Sequence, residues 1–237
     1  MKLDKSENKW DRYGEVRLLS RNRLLFERHR LLTRYFLDFF KDADTSFKIL
    51  DIGCGDGFFL ELLRDLGFKN IFGIDLSNPM ISHARKKGLR VEKRDIYDLD
   101  NKDDYDVILL MDILEHLNRP YVGLNKVYSA LKSDGILFLN IPVCDSVQKR
   151  ARRLFYSETR ASQMKDWDET HIGSYSKKEV INILEETGFK MWKVQRLSNT
   201  VPIIGRFSEK ISKFLQYFTL FGIFGDFLTI VAKKERI

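Results

Sequence analysis

The sequence predicts a doubly wound α/β domain, in which helices cover both faces of a parallel sheet. The first observation is a short strand-like segment, residues 49–52, which is apolar except for Asp51 and runs directly into a turn with glycine at every second position. The second is another apolar segment, residues 71–74, that ends at a carboxylate, Asp75. The third is the alternation of strand-like and helix-like segments from residue 47 onward, which is typical of βαβ units.

The residues before the first predicted strand favour a helical cap. Apolar side chains recur at close to the helical period between residues 15 and 41, which predicts one or two amphipathic helices. We therefore expect residues 1–46 to form an N-terminal helical cap and residues 47–237 to form the main domain. The first ten residues have no apolar core, and the two cysteines give no disulfide framework, so we expect a cytoplasmic location.

The glycine turn predicts a binding site for a nucleotide-like cofactor. Glycine lacks Cβ, so Gly53, Gly55 and Gly57 can adopt positive φ and let a ligand lie against the backbone. The helix that follows offers unpaired N–H groups. A dinucleotide fingerprint has the spacing Gly-x-Gly-x-x-Gly, but Phe58 occupies its third glycine position here. The spacing therefore argues against an NAD(P)-linked oxidoreductase.

Later helices are predicted from the residues that begin them. Ser77 or Asn78 can cap a helix after the second predicted strand. Ser176 and Glu179 have the spacing of a capping box at the start of another helix. These start signals extend the α/β alternation toward the C-terminal part of the chain.

The C-terminal segment and the net charge suggest surfaces for partners. Residues 201–225 carry an apolar stripe at helical spacing, interrupted by charges, so we expect an amphipathic helix and not a membrane span. It could pack on the sheet or a partner subunit, or face a membrane or a lipid substrate. The net charge of +7 is unevenly placed, with one basic patch near the start of the chain and another after the fifth predicted strand. These patches could attract nucleic acid, an anionic membrane surface or an acidic substrate. A solvated helix face explains them; nucleic acid remains an alternative that is not favoured.

These motifs resemble those of the class I S-adenosylmethionine (SAM)-dependent methyltransferases. The stretch from Asp51 to Gly57 fits the family's Asp-x-Gly-x-Gly-x-Gly motif, and Asp75 fits its acidic residue at the end of the second strand. The family's remaining strands look similar to residues 91–96, 105–116, 131–139, 189–196 and 227–233, the last two as its reversed sixth and seventh strands. The resemblance implies a Rossmann-like, seven-stranded, mostly parallel sheet with a helical lid after the fifth strand, at residues 145–170.

The resemblance also implies SAM as the cofactor and S-adenosylhomocysteine (SAH) as the product. It places Asp51 at the methionine ammonium, Asp75 at the ribose hydroxyls and Asp95 at the adenine. The residues expected at the cofactor are Asp51, Gly53, Gly55, Gly57, Asp75, Leu76, Asp95, Ile96 and Met111. Asp112, next to Met111, is expected to border the methyl group or the methionine tail.

Two histidines are the candidate catalytic residues. The segment that ends at His171 resembles one that faces the acceptor in many small-molecule and glycan-directed methyltransferases, and an imidazole suits a general base for a phenol or enol. A surface histidine that orders the lid is the alternative. His116 belongs to Asp112-x-x-Glu115-His116, which resembles a segment associated with a divalent cation in ubiquinone-type O-methyltransferases. A structural role in capping the local helix is favoured, so a divalent metal is possible but no metal ligand is predicted.

The sequence thus predicts a SAM-dependent methyltransferase acting on oxygen, or less favourably nitrogen or carbon, of a small-molecule or lipid-linked acceptor. No Asn/Asp-Pro-Pro-Tyr/Phe segment follows the fourth predicted strand, which disfavours DNA adenine methylation. An RNA-directed methyltransferase and a non-catalytic SAM-binding scaffold remain alternatives. Peripheral membrane contact through residues 201–225 also stays open, and the sequence does not indicate an oligomeric state.

Overall fold

The computed structural model describes residues 24–145, 171–197 and 227–235, with side chains from residue 32 onward in the first range. The predicted lid, beyond its first residue, and the predicted amphipathic segment 201–225 lie outside the described residues. So do nearly all the basic side chains of the two patches. Within the described ranges the chain forms one sheet with helices on either side.

Seven strands make up this sheet. They are β1 Ile49–Ile52, β2 Ile71–Asp75, β3 Val91–Lys93, β4 Tyr105–Met111, β5 Leu131–Pro142, β6 Phe189–Leu197 and β7 Phe227–Lys234. Their order is β3-β2-β1-β4-β5-β7-β6. The first five pair in parallel, whereas β7 runs antiparallel to both β5 and β6. The mostly parallel seven-stranded fold is therefore confirmed, and the reversal of direction belongs to β7 alone.

Five α-helices of the described chain flank the sheet: α1 Leu24–Phe40, α2 Phe58–Asp65, α3 Asn78–Lys86, α4 Pro120–Ala130 and α5 Lys177–Glu186. Ser77, not Asn78, caps α3, and its Oγ accepts from the Met80 N–H at 3.4 Å. The predicted capping box of α5 is confirmed, because Ser176 N donates to Glu179 Oε2 at 2.7 Å and Glu179 N donates to Ser176 Oγ at 3.3 Å.

The hydrophobic core lies in two layers, one on each face of the sheet. Helices α1, α2 and α3 supply one layer, and α4 and α5 supply the other. Strand β4 is buried on both faces, since Val107 and Leu109 point into one layer while Ile108 and Leu110 point into the other. This explains why its sequence is a continuous apolar run and not an alternating one.

Helix α1 covers part of the sheet, as expected for the N-terminal segment. The Phe36 and Phe40 rings are fully buried, and their centroids lie 5.5 and 5.9 Å from that of Phe138 on β5. The division into a cap and a main domain stays a prediction. Among the described helices, none combines the length and the apolar character that crossing a bilayer requires.

The strand order places a crevice at the carboxyl ends of β1 and β4. The chain continues from β1 to β2 on one side of β1, whereas β4 lies on the other side. In open α/β sheets, ligands bind in the crevice where the order reverses in this way. Strand β6 ends and β7 begins at the same edge, because Leu197 and Pro142 are both in register with Phe227.

Candidate cofactor and acceptor site

The glycine turn after β1 lies at this crevice with its backbone exposed to one side. Gly53 has a φ of 71°, and a Cβ built there would lie 2.0 Å from Ile113 Cδ1, so only glycine fits. Gly55 has a φ of 55°, and a Cβ added there would meet nothing within 4 Å. The turn is thus packed against the end of β4 at Gly53 and open to a ligand at Gly55.

Asp75, at the end of β2, connects the turn to the second strand. Its Oδ2 accepts from the Gly55 N–H and its Oδ1 accepts from the Ser77 N–H, both at 2.8 Å. A carboxylate oxygen has a second lone pair, so each of them can accept a further hydrogen bond. The half-buried Asp75 side chain can therefore fix the loop and receive a diol such as that of a ribose.

Asp51 is a carboxylate buried on the central strand β1. It is 1 % exposed, and neither of its oxygens has a hydrogen-bond partner among the described residues. Burial raises the pKa of Asp51 well above its ordinary value, and the negative charge of Asp75 raises it further. A buried carboxylate in this situation is stabilised by a cation. The residues at this edge therefore fit a cofactor that carries both a ribose and a cationic amino-acid group, as SAM does.

The remaining expected cofactor residues lie on both sides of this centre. Leu76 follows Asp75 and is half-buried, and Met111 is buried at the end of β4. Asp95 follows β3, and its Oδ1 accepts from the Tyr97 N–H at 3.1 Å, where it caps a short 3-10 turn. The Ile96 side chain is buried in the core. Asp95 thus caps a turn and Ile96 packs in the core, and the contact of both residues with adenine stays a prediction.

A chain of hydrogen bonds leads from β7 to the end of β4. Thr229 Oγ1 donates to Asn140 Oδ1 at 2.9 Å, and Asn140 Nδ2 donates to Asp112 Oδ1 at 2.6 Å. The Asp112 N–H also donates to the Asn140 carbonyl at 2.9 Å. Sequence reasoning missed Asn140 and Thr229. The available signal was a single polar residue within each of two otherwise apolar runs, residues 136–143 and 227–232.

The two candidate catalytic histidines meet around Glu115. The Glu115 carboxylate is 1 % exposed, and its Oε1 lies 3.9 Å from His171 Nε2. The Ile172 and Gly173 N–H groups donate to the Glu115 carbonyl at 3.0 and 2.8 Å, which fixes the segment that carries His171. The His116 and His171 rings pack edge to face, with centroids 4.8 Å apart.

The Asp112-x-x-Glu115-His116 pattern does not bring its three side chains together as one cluster. The Asp112 carboxylate turns toward Asn140, while ligand atoms of Glu115, His116 and His171 all lie within 4.8 Å of one another. His171 therefore takes the position in this cluster that the sequence pattern suggested for Asp112. The reason is the hydrogen bond to β5, which cannot be read from the spacing of Asp112, Glu115 and His116.

Lys87 was also missed by sequence reasoning. Its Nζ donates to the Asp56 carbonyl at 2.9 Å and to Asp56 Oδ2 at 3.1 Å, between Gly55 and Gly57. It also donates to Glu61 Oε2 at 2.6 Å on α2. Lys87 thus connects the end of α3 to the glycine turn.

Comparison with known proteins agrees with this arrangement. A family profile described as a methyltransferase domain matches residues 24–194. A ubiquinone biosynthesis O-methyltransferase from Pelagibacter ubique is 36 % identical over 100 residues, which are 40 % of this chain and 41 % of that protein. A malonyl-[acyl-carrier protein] O-methyltransferase from Bacillus anthracis is 33 % identical over 169 residues, which are 68 % of this chain and 61 % of that protein. The matches thus span less than two thirds of the length of either relative.

A solved structure shows the same fold. The SAM-dependent methyltransferase from Archaeoglobus fulgidus superposes with a TM-score of 0.64 at 24 % identity, covering 89 % of this chain and 98 % of that one. The family profile covers well over half of the chain and includes the glycine turn, Asp75 and Glu115. The chain therefore belongs to the class I SAM-dependent methyltransferase family.

Proposed function

We propose that this protein transfers a methyl group from SAM to an oxygen atom of a small-molecule or lipid-linked acceptor. The observation that carries the proposal is the pairing of His171 with the buried Glu115 carboxylate at 3.9 Å, in a segment that follows the end of β4. A hydroxyl acceptor needs a group that takes its proton, and an imidazole beside a carboxylate suits that task. The relatives named as O-methyltransferases support the same choice of atom.

Each part of the cofactor has a matching residue in this proposal. When bound, SAM supplies an electrophilic methyl group on a positively charged sulfur. Asp75 accepts from the ribose hydroxyls while its bonds to Gly55 and Ser77 hold it in place. Asp51 receives the methionine ammonium, which neutralises a buried charge. Aligning the acceptor oxygen with the methyl group and excluding water supplies most of the rate enhancement.

His171 takes the proton from the acceptor hydroxyl in this proposal. Glu115 lies beside Nε2, so the carboxylate stabilises the imidazolium that forms and leaves Nδ1 for the acceptor. His116 packs against the His171 ring and limits its rotation. The two histidines thus have different tasks: His171 moves the proton and His116 supports its orientation.

Replacing His171 tests this proposal. We expect His171→Gln to lower kcat about a hundredfold or more with little change in the Kd for SAM, because only proton transfer is lost. Transfer of labelled methyl from SAM to the catechol hydroxyls of 3,4-dihydroxybenzoate measures the rate. His83→Gln, on α3, is the matched control and should behave like the native protein. A full rate in His171→Gln would remove the base from the mechanism.

Each alternative predicts a different experimental result. The absence of a resident metal stays a prediction, and a rate that EDTA abolishes and Mg²⁺ restores would contradict it. Salt-dependent binding and methylation of RNA would favour the nucleic-acid alternative. SAM binding without transfer to any acceptor would favour a SAM-binding scaffold. A cytoplasmic location and peripheral membrane contact through residues 201–225 stay predictions.

A further inference from the structure

We propose that Asn140 and Thr229 are positioning residues that hold the Asp112 carboxylate against the methionine ammonium of bound SAM. This inference rests on the proposed function, because it assumes that SAM binds in the crevice. It adds a second carboxylate to Asp51 at the cationic end of the cofactor. It also gives a role in binding to β7, the reversed strand of the sheet.

The strand order indicates which end of the cofactor lies near Asp112. Asp75 lies at the end of β2, on one side of β1, and Asp112 directly follows β4, on the other side. If the ribose lies at Asp75, the amino-acid part extends across the glycine turn toward β4. Ile113, beside Asp112, already packs on Gly53 at the centre of this path. The cationic end of SAM therefore comes within reach of the Asp112 carboxylate.

The Asp112 side chain has an oxygen available for a cation. Its Oδ1 accepts from Asn140 Nδ2, whereas its Oδ2 has no hydrogen bond within the described part of the chain. The side chain is half-buried, unlike those of Asn140 and Thr229, which are 1 % and 0 % exposed. The relay is thus buried along its length and opens to the crevice at the carboxylate.

Asn140 and Thr229 are a buried polar pair in the sheet. Burying an amide and a hydroxyl costs free energy unless both are hydrogen-bonded. Apolar residues of similar size would fill the same space on β5 and β7. The side-chain hydrogen bonds of Asn140 and Thr229 run to each other and to Asp112. The pair therefore orients one carboxylate, which an apolar pair would not do.

The backbone of Asp112 supports the same conclusion. Its φ is 56°, in the left-handed region that non-glycine residues adopt rarely. Such a conformation costs free energy and persists where surrounding contacts enforce it, often at ligand-binding sites. The bond from the Asp112 N–H to the Asn140 carbonyl is one of those contacts. Backbone and side chain of Asp112 are thus both fixed by Asn140.

Two ligands that differ in the amino-acid part separate this role from a general structural one. SAH carries the ammonium group, whereas 5′-methylthioadenosine keeps the adenosine but lacks the amino-acid part. We expect Asp112→Asn to weaken SAH binding about tenfold, with 5′-methylthioadenosine binding unchanged. Thr229→Val should weaken SAH binding about three- to tenfold, and Thr229→Ser, which keeps the hydroxyl, should restore it. Calorimetric titration of each variant measures these affinities.

Two further outcomes decide the assignment. The double variant Asp112→Asn/Thr229→Val should bind SAH no more weakly than Asp112→Asn alone, because Thr229 acts through Asp112. Equal weakening of both ligands, or native SAH affinity in Thr229→Val, would overturn the inference. A native protein that binds neither ligand would instead refute the proposed function.

Discussion

Asp51 shows how a single buried carboxylate can lower the stability of the ligand-free protein. Its buried carboxylate has no hydrogen-bond partner among the described residues, and burial, followed by the charge of Asp75, raises its pKa. The folded state therefore holds a proton that the unfolded state releases above the ordinary carboxyl pKa. Between that value and the raised pKa, the stability of the ligand-free protein falls as the pH rises. A bound cation would reverse this loss.

Removing this charge should stabilise the ligand-free protein and weaken cofactor binding. We expect Asp51→Asn to raise the free energy of unfolding near neutral pH by about 1–3 kcal/mol, with a gain that shrinks as the pH is lowered. SAH affinity should fall in the same variant. Denaturant unfolding at several pH values measures the first effect, and calorimetry measures the second.

Asp44→Asn provides the control for this comparison. Asp44 is exposed, and hydrogen bonds from Ser46 lower its pKa, so its substitution should give no gain in stability near neutral pH. If Asp51→Asn instead destabilised the ligand-free protein, its carboxylate would have a stabilising partner. The assignment of Asp51 to the ammonium would then lose its physical basis.

At the scale of elements, the junction between the glycine turn and α3 determines the geometry of the cofactor loop. Lys87 directly follows α3 and donates to both the carbonyl and the carboxylate of Asp56. Its side chain is 16 % exposed, so these charge-assisted bonds are partly shielded from solvent. The loop conformation therefore depends on a side chain that follows the second βα unit.

Substitution of Lys87 should loosen the loop without unfolding the protein. We expect Lys87→Met to weaken SAH binding about three- to tenfold and to lower the free energy of unfolding by about 1 kcal/mol, because a partly buried ion pair is lost. The exposed Lys86→Met is the matched control and should leave both quantities unchanged. Native SAH affinity in Lys87→Met would show that the backbone of the turn holds its own shape.

Helix ends and contacts between distant side chains differ in how far the sequence predicts them. The caps at Ser77 and Ser176 depend on residues within one turn, so local spacing predicts them. The contact between Lys87 and Asp56 joins residues 31 positions apart, and it exists only after α3 has packed beside the turn. The capping role of Asp95 shows the converse, since the family resemblance implied a contact with adenine, which stays a prediction, and gave no sign that its carboxylate caps a turn.

At the scale of the whole molecule, the order of the strands decides which residues meet. The α/β alternation and the cofactor edge could be predicted because the glycine motif and the strand alternation are local patterns, and the family resemblance implied the number of strands. The relay from Thr229 to Asn140 joins residues 89 positions apart, and it requires β7 to insert between β5 and β6. The cluster of His171 with Glu115 likewise requires the chain to return to the end of β4. Neither follows from sequence spacing.

Calorimetric titration of the native protein and of Asp75→Ala with SAM, SAH and NAD⁺ tests whether this crevice is a SAM site. We predict about micromolar affinity for SAM and SAH, a loss of about tenfold or more in Asp75→Ala, and no binding of NAD⁺. The loss should occur because Asp75 fixes Gly55 and, in the proposed function, also accepts from the ribose. Binding of NAD⁺ alone, or SAM affinity that Asp75→Ala leaves unchanged, would contradict the assignment.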